Sequence, residues 1–414
     1  MINAVTVCTT ATAEHAIGSL RLHGPLRAAG IEMYWHMPGQ EFDPDEAASK
    51  SDLFIIQRDY PRYAAEYANV RKAAANAHKA VVYELDDLLW DLPPDHPDRK
   101  VGYYTPALYP MLLAALEADA MTAASPGLCA ALQPLNPSVW LLPNYLNEQL
   151  WTLRKPEVRP DSTVWLGYMG GDSHLPDIQM IQPVLLNLLE SYGGQVRLKF
   201  WGIRPPAELF PHPYVEWEAL QPGNYTEFSS YFSRQTFDIF LAPLQNNPFN
   251  CCKSAIKFLE YTALGVPGVC SQASPYQSVV QQGVTGYLAA NLDEWHKYLS
   301  LLIENAVLRQ QIAHQAQDAV RQNWLLSDHA HLWPEAYQAV LDGYQPATGE
   351  SLTAELAAHI QELLEASFAQ QAQVLNQRES ELAEIKSSRA WKLISRYRGW
   401  RSRFSRSKSQ NKQD

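Results

Sequence analysis

The sequence predicts an α/β protein in which two Rossmann-like domains face a cleft, followed by a helical extension. Three observations predict it. Short apolar, β-rich runs alternate with helix-period stretches from residue 4 to residue 323; a Pro- and charge-rich stretch, LRKPEVRPDST (153–163), interrupts that alternation once; and the composition changes after Gly343. Alternation of strand and helix implies a parallel sheet covered on both faces. In such sheets, ligands bind beyond the C-terminal ends of the strands.

In the first half, AVTVCT (4–9) reads as a strand. Ala13 to Ala29 follows as a helix, ended by Gly30 in the manner of a C-cap. IEMYWHM (31–37), DLFIIQ (52–57) and AVVYEL (80–85) are strands, with a helix over Ala64 to Ala77 between the last two. DAMTAAS (119–125) and SVWLLPN (138–144) continue the pattern. After the interruption the alternation restarts. Strands are predicted at VWLGYMG (164–170), VRLKFWG (196–202), YVEWE (214–218), FDIFLAPL (237–244), VPGVCS (266–271) and TGYLAA (285–290). Helices are predicted at 178–192, 225–235, Ser254 to Leu264, Asp293 to Ile303 and Ala306 to Asn323. The expected organisation is therefore a domain over 1–152, a linker over 153–163, a domain over 164–343, an amphipathic helix or coiled coil over 344–385, and a basic aromatic tail over 386–414.

Size and composition agree with this division. A chain of 414 residues is too long for one ordinary core. Hydrophobic residues make up 46% and charged residues 19%, a globular composition. No apolar run reaches the ~20 residues that span a bilayer, and a signal peptide is not expected because no basic segment precedes the first apolar run. The five cysteines are odd in number and lack metal-ligand spacing, which fits buried thiols in a reducing cytoplasm. The net charge of −11 is unevenly spread: residues 386–414 hold ten Lys/Arg and one acidic residue, so +9, leaving −11 − 9 = −20 for the rest.

Chemistry concentrates in residues 237–271. A strand is followed by a loop and then by a helix that opens near Lys253 and Ser254. Helix N-termini present unpaired N–H groups that suit a diphosphate. Ser254 is placed to cap that helix. Lys257 and Glu260 lie four and seven positions beyond Lys253, which puts all three on one face. Read from spacing alone, this is either an anion site with a carboxylate for ribose hydroxyls or a capped surface helix with a Lys–Glu pair.

In the first half, Asp86 and Asp87 directly follow the strand AVVYEL. Adjacent carboxylates there suit orienting an acceptor hydroxyl, acting as a base or binding a divalent cation, while one aspartate would suffice as an N-cap for a helix beginning at Leu88. Arg21 and Arg58 are candidates for an acceptor phosphate, with surface salt bridges as the favoured reading. His174, in GGDSHLPD, is a further candidate for a phosphate or a sugar, although a histidine near a helix start is more often structural.

Several of these segments, in order, resemble GT-B glycosyltransferases, especially the retaining enzymes of the large family four. The matching stretches are ADAMTAASPGLCAAL (118–132), VWLLPNYLNEQLW (139–151), WLGYMGGDSHLPD (165–177), IKFLEYTALGVPGV (256–269) and SPYQSVVQQGVTGYLA (274–289). The resemblance covers residues 1–340. It implies that Glu260 binds the donor ribose and that Lys253 and Lys257 stand near the diphosphate, with Ser254 beside them. Gly170 and Gly171 would let the backbone approach the phosphates, and Trp201 and Gly202 would lie near the base. It implies a retaining hexosyl transfer in cell-surface polysaccharide synthesis, with the nucleotide sugar as substrate, no cofactor and no essential metal. One departure stands out: family-four enzymes often carry a second glutamate eight residues before the ribose-binding one, and this chain has Cys252. Asn246, Asn247 and Asn250 are alternatives for holding the sugar, against an ordinary preference of Asn for loops.

The tail interleaves Trp391, Leu393, Ile394, Tyr397, Trp400 and Phe404 with Lys and Arg. It resembles the C-terminal segments of many bacterial surface-polysaccharide enzymes and suits an anionic membrane surface. A lipid-linked acceptor, peripheral contact through 386–414 and a homodimer through 352–385 are the expected associations, and nucleic acid is not. Two rivals remain at this stage: a GT-B epimerase or phosphorylase, and a non-catalytic nucleotide-sugar-binding scaffold.

Overall fold

A computed structural model describes residues 2–157, 163–220, 223–345 and 380. Two six-stranded sheets dominate it. The first has the order β2-β1-β3-β4-β5-β6, and the second β12-β11-β10-β7-β8-β9. Every pairing is parallel. The first sheet comprises β1 (Ala4–Cys8), β2 (Glu32–His36), β3 (Leu53–Gln57), β4 (Ala80–Leu85), β5 (Ala120–Ala123) and β6 (Val139–Leu141). The second comprises β7 (Val164–Gly170), β8 (Val196–Gly202), β9 (Val215–Glu218), β10 (Ile239–Ala242), β11 (Gly268–Ser271) and β12 (Tyr287–Ala289).

The central strands are continuous hydrophobic runs because helices cover both faces. β1, β3 and β4 are buried along their whole lengths. Strand order reverses between β1 and β3 in one sheet and between β7 and β10 in the other, so each has a switch point where a ligand crevice is expected. β7 and β8 pair in register over seven residues, from Val164↔Val196 to Gly170↔Gly202. Gly202 closes that pair at φ +84°, and a Cβ there would stand 2.5 Å from the Gly170 carbonyl oxygen.

The longer helices are α1 (residues 16–28), α2 (Ala64–Asn76), α3 (Leu108–Glu117), α4 (Leu175–Tyr192), α5 (Tyr225–Phe232), α6 (Ile256–Ala263), α7 (Leu292–Glu304), α8 (Ala306–Asn323) and α9 (Leu332–Gly343). α1 differs from the expected helix over 13–29. It starts at Ala16, capped by His15, and its middle turn, Ser19–His23, is a π-helix. Such wide turns re-aim side chains and recur at functional sites. α6 starts at Ile256, two residues later than expected, and a short helix, Pro248–Cys251, precedes it. α9 was not anticipated. It returns to the first half, where Trp333, Tyr337 and Val340 pack with Val5, Leu22 and Leu26, and the Trp333 indole N–H donates to the Arg21 carbonyl at 3.0 Å.

A second crossing holds the halves together. Phe249 and Cys252, from the loop after β10, are 3% and 4% exposed and belong to the apolar core of the first half. The Ser125 hydroxyl donates to the Cys252 carbonyl at 2.6 Å. Gly127 makes the approach possible, because a Cβ there would lie 2.2 Å from the Cys251 carbonyl oxygen. The described part of the interrupting stretch is anchored to the second half: the Arg154 guanidinium donates to the carbonyls of Leu264, Ser233 and Gln235. The expected coiled coil and basic tail lie outside the described residues, apart from residues 344, 345 and 380.

Candidate active site

α6 carries the site's two central polar residues. Lys257 and Glu260 are three positions apart, on one face, and both line a cavity of about 690 Å³ between the halves. His15, Ala16 and Leu20 wall it from the first half; Gly170 and Gly171 at the end of β7, and Leu220, Tyr225, Phe228 and Tyr231, wall it from the second. A Cβ at Gly171 would meet nothing within 4 Å, so the backbone opens onto free space there.

Glu260 is 4% exposed. Its Oε1 accepts the Tyr225 hydroxyl at 2.6 Å, and the Trp151 indole N–H donates to the same hydroxyl at 3.0 Å. Burial pushes its carboxyl up to about 7, with Tyr225 and Lys257 opposing that rise. Lys257 shows the converse effect: burial and the nearby Lys253 bring its ammonium down to about 8.

A second cavity, of about 170 Å³, adjoins the first and shares Lys257, Ile256, Ala16 and Leu20 with it. It gathers Arg21, Asp86, Asp87 and Asn144 from the first half and His174, Lys253 and Ser254 from the second. These residues follow the C-terminal ends of β1, β4, β6, β7 and β10, where the two switch points face each other. Lys253 Nζ stands 3.8 Å from Asp87 Oδ1 and 4.4 Å from the Phe249 ring centre. Asp86 Oδ1 accepts from Arg58 Nη1 at 2.5 Å. Burial raises the Asp87 carboxyl, against the pull of Lys253.

The two arginines are not surface groups. Arg21, on the π-turn, is 1% exposed. Its Nε donates to Glu84 Oε1 at 2.7 Å and its Nη1 to Leu142 O at 2.5 Å and Asn144 Oδ1 at 2.8 Å. Arg58 is 12% exposed in its side chain and sits at φ 50°, a region costly for a non-glycine residue. Its conformation is held by its own N–H to Glu84 O at 3.0 Å and by the Tyr83 hydroxyl on its carbonyl at 2.7 Å. Asp86 and Asp87 cap no helix, because the next helix begins at Pro97 and is capped by His96.

Other expectations are corrected. Ser254 does not cap α6: the N-cap position is Ala255, without a side-chain bond, and the Ser254 hydroxyl instead accepts from Asn144 Nδ2 at 2.8 Å across the halves. Lys253 therefore precedes α6 rather than sharing its face, though it still reaches the smaller cavity. Trp201 and Gly202 line neither cavity. Trp201 is 1% exposed in an aromatic core with Phe232 and Phe237, because α5 and the approach to β10 cover this end of β8. Asn247 and Asn250 also line neither cavity. Asn247 caps the short helix by accepting from Asn250 N–H at 2.8 Å, and Asn250 Nδ2 donates to the Gln245 carbonyl at 3.0 Å. Asn246 accepts from Cys251 Sγ at 3.2 Å.

Residues not foreseen from the sequence include Tyr225, Trp151, Asn144 and Asp177. For Asn144 the Pro-Asn pair was visible; nothing in the sequence tied Tyr225 to Glu260, 35 positions away. Among the described residues, no group of three or more His, Cys, Asp or Glu is placed to hold a metal ion, and no helix is long and apolar enough to cross a membrane.

No protein-family model matches the sequence, and no curated protein matches it. Solved structures do. HepE of Anabaena in complex with UDP-glucose aligns over 81% of this chain and 99% of its own, with a TM-score of 0.55 and 15% identity. Sucrose-phosphate synthase from Thermosynechococcus elongatus aligns over 83% of this chain and 100% of its own, with a TM-score of 0.58 and 13% identity. The chain has the GT-B fold. The lipopolysaccharide outer core galactosyltransferase WaaB aligns over 82% of this chain and 99% of its own at a TM-score of 0.52 and 13% identity. In GT-B terms, the paired cavities occupy the cleft between the two Rossmann-like halves, and α6 is the helix that borders both.

Proposed function

We propose that the chain is a glycosyltransferase that moves a sugar from a nucleotide-sugar donor to a hydroxyl of a saccharide or lipid-linked acceptor. The observation that carries this reading is the junction of the two cavities at Lys257. The larger cavity suits a nucleoside: Glu260 faces it as a hydrogen-bond acceptor for ribose hydroxyls, and Phe228, Tyr231 and Leu220 offer apolar surface for a base. The smaller cavity suits the diphosphate and sugar, with Lys253 and Lys257 on the donor side and Asp86 and Asp87 opposite. HepE in complex with UDP-glucose supports a uridine nucleotide as the first donor to test.

In the proposed reaction the bond from the sugar's anomeric carbon to the diphosphate breaks, and a bond to the acceptor oxygen forms. The acceptor proton passes to a carboxylate such as Asp87 or to the departing diphosphate. Lysine ammonium groups stabilise the charge that develops on that diphosphate in a largely buried cleft, and domain-domain enclosure supplies the positioning. Retention at the anomeric carbon follows the resemblance to family-four enzymes. The proposed division gives 1–152 to the acceptor and 164–343 to the donor. A basic tail over 386–414 is proposed to contact anionic lipid, and 352–385 to pair two copies.

Thermal-shift measurements with UDP-, GDP-, ADP- and dTDP-sugars test the donor, because a ligand at 100 times its Kd stabilises by about 2.7 kcal/mol. Stabilisation by none of them would overturn the reading. Interconversion of the nucleotide sugar with no acceptor present would favour the epimerase alternative. Deleting 386–414 should reduce binding to anionic liposomes while leaving donor binding intact.

A further inference from the structure

Asp177 lines neither cavity, yet it is 3% exposed beside the smaller one. It lies in the first turn of α4. Its Oδ1 accepts the Gln245 backbone N–H at 2.7 Å, with Asn250 Nδ2 at 3.4 Å, and its Oδ2 lies 2.8 Å from His174 Nδ1. One carboxylate thus joins the loop after β7 to the loop after β10, the two strands that flank the switch point. From His174 the chain continues: Nε2 is 3.0 Å from Lys257 Nζ.

The donors fix the direction. An ammonium only donates, so His174 Nε2 accepts from Lys257, the ring hydrogen sits on Nδ1, and Asp177 accepts it. Burial and the neighbouring Lys257 and Lys253 hold the imidazole well below its ordinary range, in keeping with a neutral ring. The charge balance gives this a purpose. Arg21 and Lys253, the other Lys or Arg residues lining the cavities, have carboxylate partners in Glu84 and Asp87. Lys257 has an imidazole instead. A carboxylate in direct contact would neutralise the ammonium and compete with an anionic ligand; a neutral imidazole orients it and leaves its charge free. The same second-layer logic orients histidines on metals.

We propose that Asp177, acting through His174, is a positioning residue that fixes the imidazole tautomer and thereby aims the Lys257 ammonium, unneutralised, at a diphosphate between the two cavities. This rests on the placement of the diphosphate beside Lys257 proposed above. The groups that face Lys257 are His174, Lys253, Asp177, Glu260, Asp87 and the Tyr168 ring.

The test is calorimetric titration of the full chain with inorganic pyrophosphate and with UDP from pH 6.5 to 9. Lys257→Ala should weaken both ligands at least tenfold. Asp177→Asn and His174→Phe should each weaken them at least threefold and shift the alkaline limb of the binding profile. The double variant should bind no more weakly than the worse single, since both break one chain. His174→Phe keeps a ring in the same space without its nitrogens and decides the matter if Asp177→Asn does not fold. Wild-type affinity and pH profile in His174→Phe, beside a loss in Lys257→Ala, would overturn the relay and leave the diphosphate placement standing. Wild-type affinity in Lys257→Ala would overturn both.

Discussion

Tyr225 donates its hydroxyl hydrogen to Glu260 across 2.6 Å, and that bond orients the carboxylate proposed to hold the donor ribose. The carboxylate is otherwise nearly enclosed, at 4% exposure. Removing the donor should misplace it without unfolding the protein. Tyr225→Phe is therefore expected to raise the donor KM about tenfold or more, since a hydrogen bond to a charged group is worth about 1.5–3 kcal/mol and each 1.4 kcal/mol is about tenfold. Steady-state kinetics checks this; an unchanged KM would show that Tyr225 only packs.

Glu260→Ala should reduce donor affinity or turnover at least tenfold with the fold retained, measured by kinetics alongside circular dichroism. Glu260→Gln is expected to lose donor binding while gaining stability above pH 7. The folded-state carboxyl, at about 7, is raised above its ordinary value of 4.5. Between those values the folded state holds a proton that the unfolded state has released, so stability falls as pH rises through that window. The variant should lack that decline, which thermal unfolding from pH 4.5 to 8 measures.

Donor binding should also depend on pH. The Lys257 ammonium titrates at about 8, below its ordinary 10.5. Its charge, and with it the attraction for a diphosphate, is present below pH 8 and lost above. The Glu260 carboxylate becomes available as pH climbs through about 7. Affinity should therefore peak between the two, and Lys257→Ala should abolish the alkaline limb. Titrations of UDP across pH 6 to 9 provide the check.

Phe249→Ala should destabilise the protein by about 3–5 kcal/mol, the usual cost of emptying a buried aromatic position. Phe249 is 3% exposed in the core of the half opposite its own sheet. The variant should also weaken donor binding, because Lys253 packs over the same ring at 4.4 Å. Thermal unfolding and UDP titration together read both effects, and wild-type behaviour in each would separate the loop from the site.

The strands were legible from short β-rich runs: β4 and β7 are almost wholly apolar, β8 alternates apolar residues with Arg197 and Lys199, and all three begin and end at the expected residues. The Lys257–Glu260 face was legible for a similar reason, since a helix fixes which positions share a side. What escaped the sequence depends on the opposite half. Ser254 has the right type for an N-cap, but Asn144 occupies its hydroxyl. Arg21 has the appearance of a surface residue until the π-turn rotates it onto Glu84. Trp201 lies next to the end of its strand, as expected, yet α5 closes over it with Phe232. Asp177 gave no signal, because its three contacts come from two separate loops.

Cys252 is spent on anchorage: it is 4% exposed in the apolar core of the first half and lines neither cavity. With Phe249 it forms a plug in the first half, just ahead of Lys253 and of α6, which begins at Ile256. The contact between the halves and the wall that Lys253 gives the smaller cavity are thus the same piece of chain. Any opening of the cleft that withdraws the plug must carry Lys253 with it. In the reaction proposed above, release of the nucleotide would then be a mechanical event as much as a chemical one, with the loop after β10 as its lever.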